Sequence, residues 1–211
     1  MIADGHEPPE QGNAASRPAI LRELAAVAAV CGLLNVPGQG LVSRLQYDRL
    51  ALERGEWWRL VTGHLVHLSV GHLAMNIAGL AALSLLYRRL ASRRRWLLLA
   101  LAVALSISAL LYGYAPTVQW YVGLSGVLHG LWAAAAVWLW PVSRAESLGA
   151  GLLLAAKLAL ELFFGPLSGG EDFRVVTEAH RFGAAAGFVW AFVATLARRT
   201  ARGGQRRRES L

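Results

Sequence analysis

Apolar residues along this chain gather into six runs, at positions 19–36, 70–87, 96–114, 122–140, 148–164 and 179–197, separated by polar stretches rich in arginine. Each run approaches the ~20 residues that a helix needs to cross a ~30 Å hydrocarbon core. The pattern predicts an all-α membrane protein, a single bundle of six transmembrane helices. The first run is the weakest, because Arg22 and Glu23 stand near its start and must lie at the interface or pair with each other. No internal repeat and no Pro- or Ser-rich linker divides the chain. The expected organisation is a disordered tail at 1–18, a membrane domain at 19–197 and a basic cytoplasmic tail at 198–211.

Composition agrees with this picture. Hydrophobic residues fill 55% of the 211 positions, more apolar surface than a soluble domain of this size needs to bury. The formal charge of +8 raises the question of nucleic acid, but the arginines cluster at the ends of apolar runs and not along one polar face with interleaved aromatics. The expected surroundings are a lipid bilayer, with no nucleic-acid partner. Cys31 is the single cysteine, which excludes an intrachain disulfide, and no Cys/His spacing suggests zinc. No metal and no other cofactor is expected. The first 17 residues are polar and rich in Gly, Pro and acidic side chains, unlike the basic start of a cleavable signal peptide.

Arginine counting sets the orientation. With the N-terminus inside, fourteen arginines fall on the cytoplasmic side and six outside, the six being Arg44, Arg49, Arg54, Arg59, Arg174 and Arg181. The bias puts both termini in the cytoplasm, and a bacterial inner membrane is the expected location. The second, fourth and sixth helices then run in one direction, and His72, Ser125 and His180 each stand within a few residues of the start of one of them. At 1.5 Å rise per residue the three share roughly one depth, in the outer half of the bilayer.

The chemistry-bearing residues lie near that level. Ser125 sits in Gly123-Leu124-Ser125-Gly126. The glycines remove side chains beside the hydroxyl and leave local amide N–H groups able to face an anion, as nucleophile chemistry requires. The same four residues also suit a small-residue packing patch between membrane helices. His72 and Asn76, four apart, project from one helix face toward a common point. His64 and His67 read as interfacial histidines bonded to backbone or water, and Trp57, Trp58 and Arg59 suit the membrane interface. Lys157 and Glu161, also four apart, are expected to form an intramembrane ion pair with a structural role. In the sixth run Gly183 and Gly187, with Ala179 one turn earlier, make a ridge that permits close backbone approach to another helix. If that helix is the fourth, Ser125 and His180 meet. No acidic residue is evidently placed to orient His180, since Glu178 is two positions away on a helix and points elsewhere.

Together these residues resemble the rhomboid family of intramembrane serine proteases. The resemblance covers residues 55–197 and rests on Trp58-Arg59 followed by several histidines, H-x-x-x-N at His72 and Asn76, G-x-S-G at 123–126, and A-H-x-x-G-x-x-x-G at 179–187, in the family's order. The short chain and the string G-L-S-G-V-L-H-G-L look most like rhombosortases, a branch linked to proteins with a C-terminal Gly-Gly, a hydrophobic helix and a basic tail. The resemblance implies a Ser125 nucleophile and a His180 general base acting as a dyad. It implies an oxyanion hole from the Ser125 N–H, His72 and Asn76. Gly123, Gly126, Gly183 and Gly187 would support the site. Two departures stand out. His129 occupies the position one turn after the serine where many rhomboids carry an aromatic residue, and is expected to stack on His180 and bond to it, or else to line the cavity. Arg181 directly follows the catalytic histidine, where a charge suggests water or substrate contact.

The implied activity is a serine endopeptidase that cleaves membrane-anchored proteins near the outer face, with hydrolysis or sortase-like transfer of the acyl group equally compatible. A non-catalytic rhomboid-like binder of membrane helices would need neither Ser125 nor His180. A small transporter or channel would explain Lys157 and Glu161 but not G-x-S-G together with A-H-x-x-G-x-x-x-G.

Overall fold

The computed structural model describes residues 17–35, 39–87, 89–166 and 175–209. In chain order the elements are α1 (Arg17–Asn35), α2 (Gln39–Leu45), β1 (Tyr47–Asp48), α3 (Arg49–Glu53), α4 (Arg59–Thr62), α5 (Val70–Tyr87), α6 (Arg93–Tyr114), β2 (Trp120–Tyr121), α7 (Ser125–Leu139), α8 (Arg144–Phe164) and α9 (Thr177–Glu209). Six of the helices coincide with the six apolar runs. Among the described residues α6 and α8 are long and apolar enough to cross a membrane by themselves, while α7 and Val70–Leu86 of α5 are shorter apolar helices. α9 continues through Glu209, so residues 198–209 of the expected basic tail are helical. Most of the predicted N-terminal tail, the side chain of Glu23, and Arg174 lie outside the described residues.

α7 is the centre of the bundle. Eleven of its fifteen residues are buried, and it packs against α5, α6, α8 and α9. A helix apolar on every side is stable only when other helices surround it. The closest approach is to α9, where the backbones meet through glycine. A Cβ on Gly183 would overlap the Gly126 carbonyl, and one on Gly187 would overlap the Gly130 carbonyl. A Cβ on Gly130 would stand 2.7 Å from the Gly183 oxygen, and one on Gly126 2.9 Å from the Ala179 oxygen. The small-residue ridge of the sixth run is therefore partnered by the fourth. Trp138 Nε1 donates to the Ala191 carbonyl at 3.2 Å further along the same contact.

The stretch between α1 and α5 departs from an all-α reading. β1 pairs antiparallel with β2, Tyr47 opposite Tyr121 and Asp48 opposite Trp120. Arg49 N–H donates to the Gln119 carbonyl at 2.9 Å and Gly123 N–H to the Gly63 carbonyl at 3.0 Å. These four short segments are too brief to carry a period in sequence, and they tie the α1–α5 connection to the turn that precedes Ser125.

Arg59 is bound within the protein. Its side chain is buried, donating to the Ser43 and Gln46 carbonyls at 2.8 and 2.9 Å and pairing with Glu56 at 2.7 Å. A guanidinium offers five donors in a fixed fork, enough to hold two backbone carbonyls and the Glu56 carboxylate of this connection together. Trp57 and Trp58 are exposed. His64 is fully buried, its Nε2 within 3.0 Å of the Ala104 carbonyl and 3.1 Å of Ser108 Oγ. Burial pushes its imidazole down to about 4.

Candidate active site

Ser125 is the first residue of α7, and the turn before it is built around Gly123. Gly123 has φ +110, a backbone region that residues with a Cβ rarely enter. The His72 ring occupies the space a side chain there would need, 2.6 Å from the Cβ position to Cε1. Tyr121 Oη donates to the Gly123 carbonyl at 2.5 Å and fixes the turn from the other side. Leu124, the residue before the helix, supplies no side-chain cap, and the first N–H groups of a helix have no partner within it. The Ser125 N–H is one of these.

The close packing of α7 on α9 then brings two distant residues together. Ser125 Oγ lies 2.9 Å from His180 Nε2. His129, one turn below Ser125, stacks on His180 with ring centroids 4.2 Å apart and planes 13° from parallel. Its Nδ1 donates to the Ser125 carbonyl at 2.7 Å. His129 thus stacks as expected, but the bond goes to the backbone of its own helix and not to His180.

His180 has an acidic partner. Its Nδ1 is 2.9 Å from Glu161 Oε2 and 3.1 Å from Oε1, and both residues are buried. Lys157 forms the expected ion pair with Glu161, Nζ to Oε1 at 2.5 Å. A carboxylate thus stands beside His180 Nδ1, where none was evident in the sequence. A spacing of four along α8 reveals the Lys157–Glu161 pair but not the helix that α8 faces, and that face meets His180. Glu178 pairs with Arg181 at 3.6 Å and points away, as its position on the helix suggests. His129, Glu161 and His180 hold potential ligand atoms within 4.8 Å of one another. A cation among them would meet the Lys157 ammonium, which already balances the carboxylate.

Two carbonyl-binding candidates lie on the other side of Ser125. His72 and Ser125 line a cavity of about 20 Å³ with Trp120, Tyr121, Val122 and Val176, room for one small polar atom. His67 packs edge-on against His72, centroids 4.9 Å apart. Asn76 is buried one turn deeper, its amide donating to the His72 carbonyl at 3.2 Å. It is not part of that cavity's lining, but it is 3.8 Å from the Gly123 Cβ position, on the same side as His72. Tyr121 carried no role in sequence, since a single tyrosine before a glycine turn has no spacing signal.

Residues 54–197 match the Rhomboid domain. Over 79 residues the chain is 32% identical to the Rhomboid protease GluP of Bacillus subtilis (strain 168), a stretch covering 37% of this chain and 15% of that protein. It is 29% identical over 146 residues to the Putative rhomboid protease YdcA of the same organism, covering 68% of this chain and 70% of that protein. The matched region contains α5, α7 and α8 whole and the part of α9 that carries His180 and the glycine ridge. This chain belongs to the rhomboid family, whose members are integral membrane proteins.

Proposed function

We propose that this protein is an intramembrane serine endopeptidase that cleaves membrane-anchored proteins, with Ser125 as nucleophile and His180 as general base. The observation that carries the reading is the 2.9 Å contact between Ser125 Oγ and His180 Nε2, two side chains 55 positions apart on helices held together by glycine. A serine hydroxyl attacks a peptide only when a base takes its proton. The Oγ proton passes to Nε2 as Oγ bonds to the scissile carbonyl carbon. The oxygen of that carbonyl becomes an oxyanion, and in this reading the Ser125 N–H, His72 and Asn76 donate to it, each donor worth roughly 3 kcal/mol. The imidazolium then returns the proton to the departing amine, leaving an acyl-enzyme. Water or an amine resolves it in the reverse sense, giving hydrolysis or transfer. Gly123, Gly126, Gly183 and Gly187 act by backbone approach, and His129 by packing on the base.

The remaining runs complete a six-span domain with both termini in the cytoplasm of a bacterial inner membrane, and the reacting residues in its outer half. The string G-L-S-G-V-L-H-G-L supports placing the chain in the rhombosortase branch, with Gly-Gly tails as substrates. Co-expression with a reporter bearing a Gly-Gly, hydrophobic-helix and basic C-terminus tests the reading. Ser125→Ala and His180→Ala should each abolish cleavage while accumulating normally, and the double variant should be no worse than either. Substantial cleavage by Ser125→Ala refutes the nucleophile. The mass of the new reporter C-terminus distinguishes a hydrolysed end from an added group.

A further inference from the structure

We infer that Glu161 is the positioning carboxylate of a three-residue relay, Ser125–His180–Glu161, with Lys157 as the counter-charge that allows a carboxylate to remain ionised inside an apolar helix bundle. The inference rests on the serine-protease reading and deepens it.

Tautomer chemistry carries the assignment. His180 can accept the Ser125 proton only if Nε2 holds a lone pair, which requires the ring proton to be on Nδ1. A carboxylate is an acceptor only, and an ammonium is a donor only. Glu161, with both oxygens within 3.1 Å of Nδ1, therefore selects the productive tautomer and stabilises the imidazolium that follows. Lys157 Nζ also lies 3.2 Å from Nδ1. Donating there, it would leave the ring proton on Nε2, aimed at the Ser125 hydroxyl and useless for accepting its proton. The shorter 2.5 Å bond directs an ammonium N–H to Glu161 Oε1, and once the carboxylate holds the ring proton on Nδ1 the ammonium has no lone pair there to donate to. Lys157 and Nδ1–H are then two donors converging on one acceptor.

The groups facing His180 leave no other residue in this role. α7 supplies Ser125 at Nε2 and His129 against the ring face, while Arg181 on α9 is turned to Glu178. Only α8 brings an acceptor to Nδ1 among the described residues. The competing explanation is that Glu161 serves Lys157 alone, as a structural pair. The two explanations differ when both charges are removed together. An apolar replacement of a buried ion pair is often neutral or stabilising, whereas removing one partner strands the other. A structural pair can thus be replaced without loss of function, and a positioning carboxylate cannot.

The test is the rate at which a fluorophosphonate probe modifies the full-length protein in detergent, measured with the melting temperature of each variant. Lys157→Met/Glu161→Met should retain the wild-type melting temperature within a few degrees and react roughly 100- to 1000-fold more slowly, and Glu161→Gln should react as slowly. Glu161→Asp, which keeps the charge, should recover to within about 10-fold of wild type. A folded double variant reacting at the wild-type rate overturns the inference. If the double variant does not accumulate, a folded Glu161→Gln at the wild-type rate overturns it equally. His180→Ala tests the underlying reading separately, because if it reacts as fast as wild type then His180 is not the base and the relay falls with it.

Discussion

Adding one methyl group at Gly130 should uncouple His180, the proposed base, from Ser125, the proposed nucleophile, without touching either. A Cβ there would stand 2.5 Å from Val103 Cγ1 on α6 and 2.7 Å from the Gly183 carbonyl on α9. Ordinary contact begins near 3.4 Å, so the helices must separate by about 0.7 Å, and Val103 is fully buried with little freedom to yield. Overpacking of this kind costs about 1–3 kcal/mol. Transmitted to the site one turn away, the same shift stretches the 2.9 Å Ser125–His180 contact to about 3.6 Å, beyond hydrogen-bond reach. Misplacement on this scale lowers turnover by up to about 100-fold. Gly130→Ala should therefore lose roughly 30- to 100-fold in cleavage rate while still accumulating in the membrane. Gly183→Ala and Gly187→Ala, whose methyls would overlap carbonyl groups, should lose more. Gly149→Ala on α8, where nothing lies within 4 Å of the added carbon, is the control and should be neutral. Cleavage of the reporter by quantitative immunoblot, normalised to protein level, reads all four. Wild-type turnover in Gly130→Ala would refute the claim that the glycine contact sets the catalytic distance.

Other perturbations separate roles within the site. Asn76→Ala and His72→Ala should each reduce turnover by roughly 10- to 1000-fold without abolishing it, as loss of one oxyanion donor does; unchanged turnover with poor accumulation would make the residue structural. His129→Phe should keep most activity, since stacking on His180 survives, while His129→Ala should lose about 10-fold, and equal losses in both would discard stacking. His64 predicts a pH dependence of stability. Its folded value of about 4 lies below the ordinary 6.5, so between those values the unfolded chain binds a proton that the folded protein does not. The stabilisation is complete above pH 6.5 and is lost as pH falls toward 4, by about 3 kcal/mol. Melting temperatures at pH 7.5 and 4.5 should fall less in His64→Gln than in wild type; an equal fall contradicts the assignment.

The helices and the meeting of α7 with α9 were legible because both rest on local signals. Apolar runs of membrane length mark the helices, and Ala179, Gly183 and Gly187 recur at the helical period on one face. Ser125 stood out by its glycines and His180 by its place before that ridge. Glu161 was hidden for a physical reason. Its i, i+4 relation to Lys157 gave a sufficient local explanation, and the choice between solvent, lipid and His180 depends on the rotation of α8 against α9, which no local pattern encodes. The partners of Arg59 were hidden for a similar reason: beside Trp57 and Trp58 it reads as interfacial, and the backbone carbonyls of Ser43 and Gln46 that it binds lie in a connection without periodicity. The two-residue ladder of Tyr47 with Tyr121 is shorter than any strand signal, and the Tyr121 bond to Gly123 follows from it.

The most direct test of Ser125–His180 catalysis is the position of covalent attachment. Detergent-solubilised wild-type protein treated with a fluorophosphonate, digested and mapped by mass spectrometry should carry the phosphonyl group on Ser125 alone among its serines. The His180→Ala variant should remain unmodified under the same conditions. Attachment at another serine, or modification of Ser125 that is undiminished in His180→Ala, would contradict it.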